Sequence, residues 1–300
     1  MDMTQNKYCR HGANLRRRRR RHRKMLRSII FSCSIIAVAV FVAVGSRMIT
    51  SGDGGTNRYD VEAGNNTYDN AVIENSKISE NNKIQNEQSM LDDIMNSTQY
   101  PKQLQELALK NEEALEFVYD YPTEHVKEHT IDLTEEASMD SVPLFVQWDK
   151  RWGYEKYSGN FFAASGCGPT TLSMVVVYLT HNRDASPIAV AKYSKEAGYS
   201  VDGSGSSWTL VSEGCRHYGV KAKTVALDES RMKAELDAGH PIVVNVGPGD
   251  FTDTGHFMVI TGYDDEGFSI NDPNSIEKSG KRWLFKNISS QIRAVWSMYV

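Results

Sequence analysis

The apolar positions fall into three regimes along the chain. From Ser28 to Ser46 no charged residue occurs across 19 positions. As a helix at 1.5 Å per residue this reaches about 28 Å, close to the thickness of a bilayer's hydrocarbon core. The pattern predicts a transmembrane anchor over 28–46. Residues 47–96 have the opposite character. Between positions 51 and 90 there are eight Asn and no Leu, Phe or Trp, too little apolar surface to offset ordering entropy. A disordered stalk is expected there. From about position 97 to the C-terminus apolar residues recur with defined periods, and one folded domain over 97–300 is expected.

Within that domain Leu104, Leu107, Ala108, Ala114, Leu115 and Val118 follow Tyr100-Pro101 at helical spacing. They predict a helical lead-in over 99–122, started by Pro101 and ended at Tyr121-Pro122. All five tryptophans lie after residue 140, so the main core is expected over 140–300. Cys167 to Thr180 is apolar nearly all round through Met174-Val-Val-Val-Tyr-Leu179, which predicts a buried helix. Further helices are expected from Ser186-Pro187 to Gly198, from Ser206 or Ser207 to Gly219, and from Asp228 to Gly239. The period then changes. Pro241 to Val246 and His256 to Tyr263 read as strands, and Phe268 to Asn271 as the return strand of a hairpin. Helices followed by strands predict an α+β fold, with an antiparallel sheet packed on a buried helix.

Charge adds topology. The net charge of −4 combines a tail, residues 1–27, with 11 Lys/Arg against one acid, and a remainder with 23 against 37, or −14. The basic tail, with Arg16–Arg21 unbroken, is expected to stay in the cytoplasm, leaving the C-terminal domain outside the cell membrane. A cleaved signal peptide is the alternative, since Ala43-Val44-Gly45 carries small residues. The acidic bulk argues against a nucleic-acid partner. The four cysteines, Cys9, Cys33, Cys167 and Cys215, are too few for a disulfide scaffold and lack zinc-site spacing. No metal or organic cofactor is implied.

The most informative run is Gly166-Cys167-Gly168-Pro169-Thr170, at the mouth of the buried helix. A sulfur there lies near unpaired N–H groups and the positive end of the helix dipole, both favouring thiolate, the nucleophilic form. The flanking glycines are expected to let a substrate backbone approach closely. A structural cysteine, or a disulfide to Cys215, is the alternative. Among eight histidines, His256 stands apart, since it starts an apolar strand after a loop of small and polar residues. Asp272 ends the return strand of the hairpin, where it can reach His256; a turn-forming role before Pro273 is the alternative.

Gly-Cys-Gly-Pro-Thr (166–170), Gly-His-Phe-Met-Val-Ile-Thr-Gly-Tyr (255–263) and Asn-Asp-Pro-Asn (271–274) together resemble the papain-like cysteine peptidases of the bacteriocin-processing (double-glycine leader) family. The likeness is to its stand-alone, cell-surface branch in Gram-positive bacteria. Val142 to Gly153, with Gln147, Trp148 and Trp152, resembles that branch's opening strand and loop, and the resemblance covers about residues 97–300. It implies a nucleophile at Cys167, a general base and later acid at His256, and an orienting carboxylate at Asp272. It further implies an oxyanion hole from Gln147 and the backbone N–H of Cys167. One departure is that Gln147 precedes Cys167 by 20 residues, where family members have about six, so residues 148–166 must loop out and return. Another is that no ATP-binding or multi-span transporter region accompanies the domain. The implied activity is hydrolysis of peptides, including cell-wall peptides. An acyltransferase or transpeptidase on the same scaffold, or a non-catalytic surface binding module, are the alternatives.

Overall fold

The computed structural model describes residues 66–300, with side chains from residue 79 onward. The basic tail (1–27), the expected span (28–46) and residues 47–65 lie outside the described residues. The chain divides into two units, Met1–Gln85 and Asn86–Val300. Of the first, only residues 66–85 of helix α1 (Asn66–Asn96) are described, and the last turns of that helix belong to the second. Residues 66–96 are therefore helical where the sequence predicts disorder. The reason lies at the helix's end, where Leu91 and Ile94 are buried in a cluster with Leu104, Leu107, Leu115 and Phe117. Among the described residues no helix is long and apolar enough to cross a membrane.

The lead-in is not one helix. After α2 (Lys102–Lys110) the chain turns at Asn111, passes through a 3-10 turn (Glu112–Ala114), and continues in two short helices, Leu115–Tyr119 and Tyr121–Glu124. Pro122 sits in the first turn of the last piece rather than terminating the segment. Apolar spacing survives this break, because Ala114, Leu115 and Val118 still face the cluster that buries Leu104.

The core of the domain is helix α3 (Cys167–Thr180) packed on a sheet. Leu172 and Met174–Val177 are fully buried. Three consecutive valines are poor helix formers by up to roughly 0.7 kcal/mol each, but full burial of such a side chain is worth about 1.5–3 kcal/mol, so packing decides. His181, in the left-handed region at φ 53°, closes the helix. Helix α4 (Pro187–Glu196) follows, its N-cap Ser186 accepting from the Ala189 N–H. The segment expected as a third core helix is instead one helical turn (Thr209–Ser212) and a 3-10 stretch (Gly214–Tyr218).

The sheet comprises β1 (Lys221–Thr224), β2 (Ile242–Val246), β3 (His256–Asp264), β4 (Gly267–Asn271), β5 (Arg282–Trp283) and β6 (Ile292–Tyr299), in the spatial order β1-β6-β2-β3-β4-β5. Every pairing is antiparallel. Val243, Phe257, Val259, Trp296 and Met298 share a cluster with α3. Ile242, Val244, Met258, Ile260 and Val295 form a second cluster with Met232 of helix α5 (Glu229–Asp237). The α+β architecture thus follows the period change along the chain, although β6, set between β1 and β2, is absent from the sequence reading. Its alternation is broken by Arg293 and by a register shift between Ile292 and Ala294. The stretch 142–146 forms no strand, and Gln147 begins a turn.

Candidate active site

Cys167 is the first residue of α3 and is partly exposed. Its neighbours in sequence shape the helix mouth. A Cβ on Gly168 would lie 2.5 Å from Ser206 Oγ, and one on Gly166 would lie 2.6 Å from the Phe162 ring. The expectation that these glycines make room for a substrate is therefore corrected: protein atoms already fill that space. Cys167 and Cys215 are both free thiols, which removes the disulfide alternative. Cys215 is buried, and burial pushes its thiol up to about 11, leaving it protonated at neutral pH.

His256 begins β3 at the end of the sheet and is buried, with Nε2 2.7 Å from Asp272 Oδ1. Its other ring nitrogen is then the one left for the hydrogen bond with Cys167. Burial pushes the Cys167 thiol up, but the hydrogen bond and charge of His256, with the backbone N–H groups of Phe257 and Gly168, hold it below its ordinary 9.0. Burial likewise opposes charge on His256, yet the Asp272 carboxylate and the Cys167 sulfur outweigh it and push its pKa up to about 10. Both shifts favour the same state, a thiolate beside an imidazolium.

Asp272 is fully buried. A carboxylate there is costly unless paired, and the imidazolium supplies the pairing. Oδ1 also accepts from the Asn274 N–H at 2.8 Å, while Oδ2 has no donor among the described residues. Asn271, the neighbouring candidate, is turned away, its amide donating to the carbonyls of Val142 and Pro143 at 3.0 and 3.1 Å.

The register of the hairpin decides which face Asp272 takes. Near the turn Gly262 opposes Ser269, but Ile260 opposes Ile270, so Thr261 is an extra residue in β3. Beyond this bulge Val259 opposes Asn271, and continuing the register puts Asp272 opposite Met258, on the face of His256. Without the bulge Asp272 would oppose Val259 and take the other face, since a one-residue slip inverts every side chain.

Gln147 is buried, and its Nε2 donates to the Ala163 carbonyl at 2.7 Å, four residues before Cys167. Residues 148–166 do loop out and return: a hairpin of Lys156–Tyr157 with Asn160–Phe161 intervenes, and a turn of helix (Phe162–Ser165) leads back to Cys167. The Gln147 backbone N–H also donates to the Pro273 carbonyl at 2.7 Å, tying this segment to the Asp272 loop. Sequence reasoning missed Asn245, whose amide donates to the His256 carbonyl at 3.2 Å. The signal was present, as the single amide within the apolar strand Ile242–Val246. Among the described residues no group of three or more His, Cys, Asp or Glu side chains is gathered to hold a metal ion.

Residues 139–300 match the Peptidase_C39 like family. The chain belongs to that family. It is thereby a cysteine-type peptidase with the papain-like fold of C39 enzymes. Solved structures that match include the peptidase domain of Streptococcus ComA, a bi-functional ABC transporter involved in a quorum sensing pathway. It is 18% identical at a TM-score of 0.39, over 53% of this chain and 96% of that one. Another is a protein from Bacillus anthracis described as a C39-like peptidase, 16% identical at a TM-score of 0.34, over 53% of this chain and 95% of that one. No curated protein shows a significant match to the chain.

Proposed function

We propose that this family member hydrolyses peptide bonds outside the cell through Cys167, His256 and Asp272, with Gln147 in the oxyanion hole, and is held at the membrane by residues 28–46. The Cys167 thiolate attacks the scissile carbonyl carbon, forming a C–S bond while the carbonyl π electrons move to oxygen. The backbone N–H of Cys167, at the start of α3, and the second hydrogen of Gln147 Nε2 receive that oxyanion. The imidazolium of His256 protonates the leaving amine as the C–N bond breaks, leaving a thioester. Neutral His256 then takes a proton from water, which attacks the thioester, and the thiol leaves as thiolate. Asp272 holds the ring orientation and stabilises its charge throughout.

The observation that carries this reading is geometric: a partly exposed Cys167 at a helix start, hydrogen-bonded to the His256 ring whose Nε2 lies 2.7 Å from the buried Asp272 Oδ1. Iodoacetamide treatment at pH 6 followed by peptide mapping tests it. Alkylation of Cys167 in the wild type, lost in His256→Ala, is expected; equal labelling of the two would mark an ordinary cysteine. The apolar run 28–46 and its basic flank support the extracellular location. Protease added to intact cells should release the domain by cutting ahead of it, and full protection would place it inside.

A further inference from the structure

The loop that carries Asp272 is gripped by a segment more than 150 residues away in sequence and outside the family match at 139–300. The Glu113 carboxylate accepts from Ser275 Oγ, from the Ile276 N–H at 2.7 Å and from the Glu277 N–H at 3.1 Å. These donors stand at the start of the short helix α6 (Ile276–Ser279). The Asn111 amide donates to the Asn274 backbone carbonyl at 2.9 Å and to its side-chain oxygen at 3.1 Å. Asn111 Oδ1 in turn accepts from the Glu113 N–H at 3.0 Å, so one gripping side chain locks the next.

Two of the gripped residues, Asn274 and Ser275, bond Asp272 directly. The Asn274 N–H donates to Asp272 Oδ1 at 2.8 Å, the same oxygen that meets His256. The Ser275 N–H donates to the Asp272 carbonyl at 3.1 Å, and the Asp272 N–H donates to Ser279 Oγ at 2.9 Å. Hydrogen bonds to an ionised acceptor are about twice as strong as neutral ones, and Glu113 makes three of them. We propose that Glu113 and Asn111 are positioning residues for the active site, a clamp from the lead-in that sets Asp272 Oδ1 against the His256 ring. This rests on the reading of Asp272 as the group that orients His256.

The test is the rate of Cys167 alkylation by iodoacetamide against pH in the full-length protein, located by peptide mapping and needing no substrate. The wild-type rate should have a midpoint below 9. In Glu113→Ala the midpoint should rise, with alkylation at pH 6 falling about tenfold for each unit by which the midpoint comes to exceed 6. Asn111→Ala should move it the same way, and Glu113→Gln, which retains one accepting oxygen, should lie between. A thermal melt accompanies each variant; if Glu113→Ala loses its cooperative transition, Glu113→Gln and Asn111→Ala decide. Variants that melt early but keep the wild-type midpoint would show a structural cap only and overturn the clamp. A wild-type midpoint near 9 would instead overturn the thiolate–imidazolium reading beneath it.

Discussion

At the scale of single residues the proposed site rests on a proton held by His256 rather than by Cys167, and its pH behaviour follows. His256, ordinarily 6.5 and raised to about 10, retains in the folded state a proton that the unfolded chain releases between those values. Taken alone it stabilises fully below 6.5 and loses that contribution as pH rises through 10. Cys167 is lowered from 9.0, so it stabilises above 9.0 and loses that contribution as pH falls through its folded value. Between pH 6.5 and 9.0, above the folded value of Cys167, the two slopes oppose each other and net proton exchange is close to zero. Cys167→Ser removes one side of the balance. Its unfolding free energy should fall relative to wild type with rising pH in that window, by up to about 1.4 kcal/mol per unit. Parallel urea-derived stabilities of the two proteins would contradict the ion pair. Activity should rise on the acid side with thiolate formation and decline toward pH 10 as His256 deprotonates, and a rate already falling at pH 7 would be inconsistent. Asp272→Asn should cost less in kcat than His256→Ala, because it keeps an acceptor on the ring while the latter removes the proton carrier; the reverse order would reassign the roles.

Elements set which residues can meet. The bulge at Thr261 keeps Asp272 and His256 on one face of the hairpin. Deleting Thr261 removes the extra residue but leaves Ile260 opposite Ile270 and Met258 opposite Asp272, so the shared face and turnover should survive. Lost activity together with an intact melt would mean that the bulge itself, not the register beyond it, aims the carboxylate. Helix α3 is held by burial rather than by propensity, so Leu172→Ala, at a fully buried position, should cost about 2–5 kcal/mol. A loss under 0.5 kcal/mol in chemical denaturation would argue that the helix is not the centre of the core.

Over the whole domain the lead-in is part of the enzyme body rather than an appendage. Leu91, Ile94, Leu104 and Leu107 pack with Phe161 and Ala163, the latter four residues ahead of Cys167. Leu104→Ala should therefore lower the stability of the single unfolding transition by about 2–5 kcal/mol. A separate early transition with the main one unmoved would show an independent layer. The same layer carries Asn111 and Glu113, so packing of the lead-in and alignment of Asp272 are physically one matter.

What the chain determined by itself is local. Cys167 at a helix start, His256 at a strand start and Asp272 at a strand end are legible because each depends on a few neighbours: a glycine-flanked apolar run, a loop of small residues, a hairpin turn. The period change from helix to strand is equally local, and it carries the α+β class. Tertiary structure decided the rest. The helix at 66–96 is anchored by Leu91 and Ile94, beyond the polar window that suggested disorder. Strand β6 is hidden by a register irregularity, and the bulge at Thr261 leaves no mark in composition. The grip of Glu113 on residues 275–277 joins positions that no periodicity relates. Alternation and capping report on contacts within a few residues, whereas register and long-range hydrogen bonds depend on where the closed chain brings distant segments together.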